Sequence, residues 1–212
     1  MYFHEEQMHG VQDWRRHQPS VRLGDAAQRK QIPDQIRFIE AEVPWVKKDK
    51  RLQISYDPKG PMPDDKKIRF IKRFIDPMLK HELGRNLLLN VNQGNYPVEI
   101  AWRNGKFGFN GTIALHRREA VGGKGSAAVI FIDEDAPEWK RLPTIVNSPD
   151  IGLFHELLHA AHIQRGTAVD NEAEMEKQVI GIGKYSNAKG TENAYRDAKG
   201  LQWRCCWDRE KL

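Results

Sequence analysis

Alternation of apolar and polar residues marks Leu52-Gln53-Ile54-Ser55-Tyr56 as a strand, because a two-residue repeat places one set of side chains on one face. Upstream, Arg37-Phe38-Ile39-Glu40-Ala41-Glu42-Val43 reads as a strand or a short helix. Residues 61–65 carry turn chemistry. Beyond them Ile68, Ile71 and Ile75 recur at helical spacing, which predicts a helix to about Leu83, closed by Gly84. Val98-Glu99-Ile100-Ala101-Trp102 and Lys106-Phe107-Gly108-Phe109 flank Asn104-Gly105, the pattern of a hairpin with a tight turn. The glycines at 122, 123 and 125 lead into Ala127-Ala128-Val129-Ile130-Phe131-Ile132, the most strand-like run. They precede a strand instead of joining a strand to a helix, and their spacing is not GxxxxGK[ST], so they predict a turn and no phosphate loop. Residues 1–32 are rich in Gln, His and Arg without apolar periodicity and read as a mobile arm.

Composition narrows the class. The chain has 212 residues, 39% hydrophobic and 30% charged, which suits one globular domain over residues 33–212 behind the arm. No run approaches the roughly 20 apolar residues of a membrane span, and the first residues lack a secretory layout, so neither a membrane protein nor a Sec-exported one is expected. The two cysteines are adjacent, Cys205 and Cys206, which argues against a disulfide framework and for a reducing site of action. The net charge of +5 comes from 34 basic and 29 acidic residues, largely interleaved. Its densest cluster, Lys66-Lys67-Ile68-Arg69-Phe70-Ile71-Lys72-Arg73, has helical apolar spacing, so its bases are read as a solvated face and no nucleic-acid partner is expected.

The chemistry concentrates in NSPDIGLFHELLHAAHIQRG, residues 147–166. Ser148 then Pro149 form an N-cap and first-position pair, Asp150 adds negative charge to the first turn, and Gly166 is a natural stop. The helix between them has Phe154, Leu157, Leu158 and Ala161 as apolar residues and carries His155-Glu156-Leu157-Leu158-His159, an HExxH motif. Residues i and i+4 share a helix face, so both imidazoles can reach one Zn2+ ion, while Glu156 projects beside it as a base for a metal-activated water. His162 lies about 10.5 Å along the axis from His155 and cannot share a small ion with both histidines; outer support or packing is its expected role.

A catalytic zinc needs a third protein ligand and an open position. Arg165 occupies the place of the third histidine of HExxHxxGxxH, so a downstream carboxylate is required. NEAEMEKQVIGIG, residues 171–183, reads as a second helix. Glu172 and Glu176 share a face with Val179, Ile180 and Gly183, whereas Glu174 points elsewhere. The residues leave Glu172 and Glu176 as the choice.

These motifs resemble those of the NleD/HopH-like family of bacterial effector zinc metallopeptidases, delivered by type III secretion. Leu83-Gly84-Arg85-Asn86-Leu87-Leu88 is similar to that family's tGrxLL turn. The glycine turn into Val129-Ile130-Phe131 is similar to its strand before the active-site helix. HELLHAAH resembles its HELxHA core, Glu176 to Gly181 (EKQVIG) its ExxTVG element, and Thr191-Glu192-Asn193-Ala194-Tyr195-Arg196 with Gly200 and Arg204 its ENxxR…G…R tail. The likeness spans roughly residues 75–207. It implies Glu176 as third ligand, with Glu172 or Glu192 as the alternatives. Clostridial neurotoxin light chains look similar at this element, and their Arg-x-x-Tyr pair implies an oxyanion-stabilising role for Arg204. Trp207 stands where the Tyr would be, and an indole N–H only donates, so Tyr185 or Tyr195 would have to substitute.

The resemblance implies an α+β zincin-like metalloprotease domain, with a small mixed or antiparallel sheet, ending near Val129 to Ile132, packed on the HExxH helix. An edge strand of that sheet could take an extended peptide. It further implies a zinc endopeptidase acting as a monomer in the host cell cytoplasm, with a host protein, a MAP kinase activation loop, as substrate. His155, His159 and Glu176 would hold zinc, Glu156 would be the general base and Arg204 would stabilise the oxyanion. The alternatives are a pseudo-protease that binds a host protein without cutting it, and a nucleic-acid binder using the 66–73 helix.

Overall fold

The computed structural model describes residues 52–56, 64–103, 110–133 and 148–205. The readings for residues 1–32, for 37–43, for the Asn104-Gly105 turn with its second arm, and for Cys206 and Trp207 lie outside these residues. The described elements are β1 (Leu52–Tyr56), α1 (Asp64–Phe70), a π-helical turn (Ile71–Ile75), α2 (Asp76–Leu79), α3 (Glu82–Asn92), β2 (Val98–Arg103), β3 (Gly111–Ala114), α4 (Arg117–Val121), β4 (Ala128–Asp133), α5 (Pro149–Arg165), α6 (Glu172–Ile180), a 3-10 turn (Gly183–Tyr185) and α7 (Glu192–Ala198).

The sheet is mixed, in the order β1-β2-β4-β3. β1, β2 and β4 are parallel, with Ile54 opposite Ile100 and Ile100 opposite Ile130. β3 runs antiparallel to β4 at the edge, with Thr112 opposite Ile130. Alternation sorts the strand residues: Val98, Ile100, Trp102, Ala128, Ile130 and Ile132 join the helices in the main core, while Ala101, Val129 and Phe131 form a second cluster with Ile113 and Leu115. β4 is buried along its whole length, which is why its sequence reads as a continuous apolar run. The expectation of α+β architecture with a small mixed sheet against the HExxH helix holds.

The sequence reading is corrected locally. Both edges of β2 are taken by parallel neighbours, β1 and β4. The short antiparallel strand Gly111–Ala114, absent from the sequence reading, pairs with β4. The helix expected from about residue 66 to Leu83 is three segments and a break. Its wide turn at Ile71–Ile75 rotates the apolar stripe, so Phe70, Ile71, Phe74, Ile75 and Met78 are buried while Ile68 is 45% exposed. Phe70 stacks on Phe74 at 4.8 Å and tilts against Trp102 at 5.3 Å, and these aromatic contacts set the phase.

Gly84 stops no helix. It lies in the first turn of α3, where a Cβ would collide with the Met78 carbonyl at the end of α2. Arg85 then donates from Nη1 to the Leu79 carbonyl at 2.8 Å, capping the end of α2. The Leu-Gly-Arg triplet therefore lets one helix begin tightly against the end of another. This angle delivers Leu87, Leu88 and Val91 to the core that supports α5.

Candidate metal centre

α5 is buried along both faces, from Pro149 to Gln164 except at His162. It begins at Ser148 and Pro149 and ends at Gly166, as its sequence predicts. Gly166 takes the left-handed conformation (φ 71°), and the Thr167 N–H returns to the His162 carbonyl at 3.0 Å. The start differs in detail, because the Ser148 side chain makes no capping hydrogen bond. Phe154, Leu157, Leu158 and Ala161 are all core residues. Fully burying side chains the size of Phe or Leu contributes about 1.5–3 kcal/mol each. A helix buried all round must also provide a partner for every polar group it carries.

On one face of α5, His155 and His159 turn their Nε2 atoms toward each other, 3.0 Å apart. Glu176 comes from α6, with one carboxylate oxygen 3.1 Å from His159 Nε2 and the other 3.4 Å from His155 Nε2. α6 is oriented by its own ends: Asn171 Oδ1 accepts from the Glu174 N–H at 3.0 Å, and Gly181 closes the helix one residue after Ile180. The expected extension of this helix to Gly183 is therefore shorter by one turn. Glu174 points away, to Lys184 at 2.5 Å.

These three groups form a buried cluster that could hold a metal ion, all potential ligand atoms lying within 4.8 Å of one another. The donor set of two imidazole nitrogens and a carboxylate fits a divalent metal. Bonds of about 2.0–2.1 Å arranged tetrahedrally place ligand atoms about 3.3 Å apart, and the separations here are close to that. The electrostatics also call for a cation. Burial alone would depress His155, but the Glu176 charge and the hydrogen bonds that the ring donates to Glu176 and to Glu192 lift it to about 10. Burial would raise Glu176, yet the charge and hydrogen bonds of both histidines hold it far below the carboxylate range.

Behind the histidines lies Glu192, the first residue of α7 and 1% exposed. The His155 Nδ1–H donates to Glu192 Oε2 at 2.7 Å, which leaves Nε2 to face His159 and Glu176. Arg196 Nε donates to the other oxygen at 2.6 Å, and Arg204 Nη1 lies 3.4 Å from Oε2. Burial would raise Glu192 as well, but the hydrogen bond and charge of His155, followed by Arg204 and Arg196, hold it at about 2. Its contact is with the far nitrogen of His155, so it orients that ring. The Glu192/Arg196 spacing of four within a helix was the available sequence signal. Arg204 is set against this same carboxylate, its backbone held by Asn193 through contacts of 2.7 and 2.9 Å.

Glu156 lies beside His155 on the face toward the sheet, where Thr112 of β3 reaches its Oε2 at 2.8 Å and its carbonyl at 3.0 Å. No periodicity or motif singles out this threonine. His162 points to the helix end and contacts Thr167 Oγ1 at 3.0 Å, in keeping with a packing role.

Tyr195, one of the two tyrosines weighed for the place of Trp207, is fully buried and stacks on Phe154 at 4.1 Å. Its hydroxyl donates to Asp150 at 2.7 Å, and Lys199 donates to the same oxygen at 2.6 Å. Burial, then the hydrogen bond and charge of Asp150, push the phenol above its ordinary range. It is a structural group, unable to meet a substrate. Asp150, expected only to charge the first turn of α5, instead ties α5 to α7. Against this geometry, no family model, no curated protein and no solved structure matches the chain.

Proposed function

We propose that the chain is a zinc-dependent endopeptidase of the zincin type, its metal held by His155, His159 and Glu176 and its open side used for a peptide. The observation that carries this reading is the convergence of two imidazole nitrogens and a carboxylate, from two helices, in one cluster beside Glu156. Zinc supplies Lewis acidity: it acidifies a water and polarises a carbonyl. Glu156 takes the proton from the attacking water and returns it to the leaving amine. On the motif likeness, Arg204, whose guanidinium lies on Glu192, is proposed to contribute positive charge toward the developing oxyanion. Edge strand β3, beside α5, is the proposed rail for an extended substrate.

The motif likeness supports further proposals: delivery by type III secretion, action in a host cytoplasm as a monomer, and a host protein such as a MAP kinase as substrate. The experiment that tests the site is metal content of the purified chain by mass spectrometry, beside H159A and E176A. Near-stoichiometric zinc lost in both variants is expected. Zinc that survives E176A would move the third ligand to Glu172, since Glu192 is turned to the far nitrogen of His155. A chain that binds no zinc after reconstitution would make a non-catalytic host-protein binder the better reading.

A further inference from the structure

The helix that carries Glu156 does not by itself decide where its carboxylate rests. A glutamate has three side-chain torsions, and its neighbour His155 is held from the opposite side, by Glu192. The sheet supplies what the helix lacks. Thr112 stands in β3, the edge strand, in fixed register with Ile130 of β4. A β-branched side chain in a strand has few χ1 choices, so the sheet determines where its hydroxyl sits. That hydroxyl is 2.8 Å from Glu156 Oε2 and 3.0 Å from the Glu156 carbonyl.

One proton cannot serve both acceptors at once. The carbonyl lies in mid-helix, where the intrahelical N–H four residues on already satisfies it. The carboxylate gains more, since hydrogen bonds to an ionised acceptor are shorter and stronger than neutral ones. Tying one oxygen leaves the other for a proton in transit. We propose that Thr112 is a positioning residue for Glu156: its hydroxyl, delivered by the edge strand, holds the carboxylate in the orientation from which it accepts the water proton. This inference rests on the peptidase reading of the site.

The test uses the full chain reconstituted with zinc, in wild-type, T112V, T112S, E156A and T112V/E156A forms. Cleavage of a mixture-based library of quenched fluorescent decapeptides is measured alongside thermal unfolding and zinc content. Valine keeps the shape and removes the donor, so T112V should lower kcat about 10- to 100-fold with KM and zinc stoichiometry unchanged. T112S should restore kcat to within about threefold, since the donor returns. In unfolding, T112V and E156A should shift the midpoint non-additively, because each removes the same contact. Unchanged kcat in T112V, or an equal loss in T112S, would overturn the proposal; so would additive unfolding shifts, which would leave Thr112 as a backbone staple. A zinc-loaded wild-type chain that cleaves nothing, with non-additive shifts, would overturn the peptidase reading while supporting the Thr112–Glu156 pairing.

Discussion

Two buried polar clusters share helix α5, and they differ in kind. Asp150, Tyr195 and Lys199 form a closed set: two donors converge on one carboxylate oxygen, with distances of 2.7 and 2.6 Å. Donors and acceptors match there, and the cluster needs nothing more. His155, His159 and Glu176 present lone pairs to one another, two nitrogens at 3.0 Å and a carboxylate beside both. His159 Nδ1 is buried without a partner among the described residues. An arrangement of acceptors facing acceptors is costly in a protein interior unless a cation or a proton occupies its centre. Buried polarity that satisfies itself is architecture. Buried polarity whose ligand atoms converge on one point could hold a metal ion.

The largest effect should come from the second cluster. E156A is expected to lower peptide cleavage by about 10³-fold or more while zinc remains bound, read by turnover and metal content on one sample. Normal turnover would remove Glu156 from the mechanism. Glu192 should come next: E192Q loses charge against His155 and should weaken zinc about 10- to 100-fold, by competition with a chelator. An unchanged affinity would place Glu192 in the architectural cluster instead.

The pH response separates the two clusters further. In the metal-free chain His155 is raised from its ordinary value of 6.5 to about 10. The stability this proton contributes is full below pH 6.5 and is lost as pH rises through about 10. Zinc competes for the same lone pair, so its affinity should rise about tenfold per pH unit over that window. Chelator titrations at several pH values, beside unfolding of the stripped chain, check both. A flat affinity would mean that no proton is displaced.

The closed cluster should respond in stability alone. D150A leaves the Lys199 charge, 13% exposed, without its partner and should cost about 3–5 kcal/mol. Y195F removes one hydrogen bond and should cost about 1–2 kcal/mol, with zinc content unchanged. Loss of zinc in a folded Y195F chain would merge the clusters into one unit. The smallest effect belongs to S148A, expected below about 0.5 kcal/mol by denaturant unfolding, because this cap position makes no side-chain bond.

What could be read directly from the sequence is local. The limits of α5, the shared face of His155 and His159, the stop at Gly166 and the choice between Glu172 and Glu176 all follow from 3.6-residue periodicity and end chemistry. These depend on neighbours within a turn or two. The sequence reading failed where neighbours are distant. Ile68 and Ile71 share helical spacing, yet a wide turn and the Phe70–Trp102 contact turned Ile68 outward.

The residues alone left Glu172 and Glu176 open and the motif likeness pointed to Glu176; the folded chain sets Glu176 beside both histidines, because the choice depends on how α6 packs against α5. Only the fold gave Glu192 its place behind His155, 37 residues away, and brought Thr112 to Glu156 across 44. It also took Tyr195 out of consideration as a catalytic phenol by placing it on Asp150, 45 residues distant. A motif specifies ligands on one helix because one helix has one geometry. The groups that orient those ligands come from other elements, and only packing of the whole core determines where such elements meet.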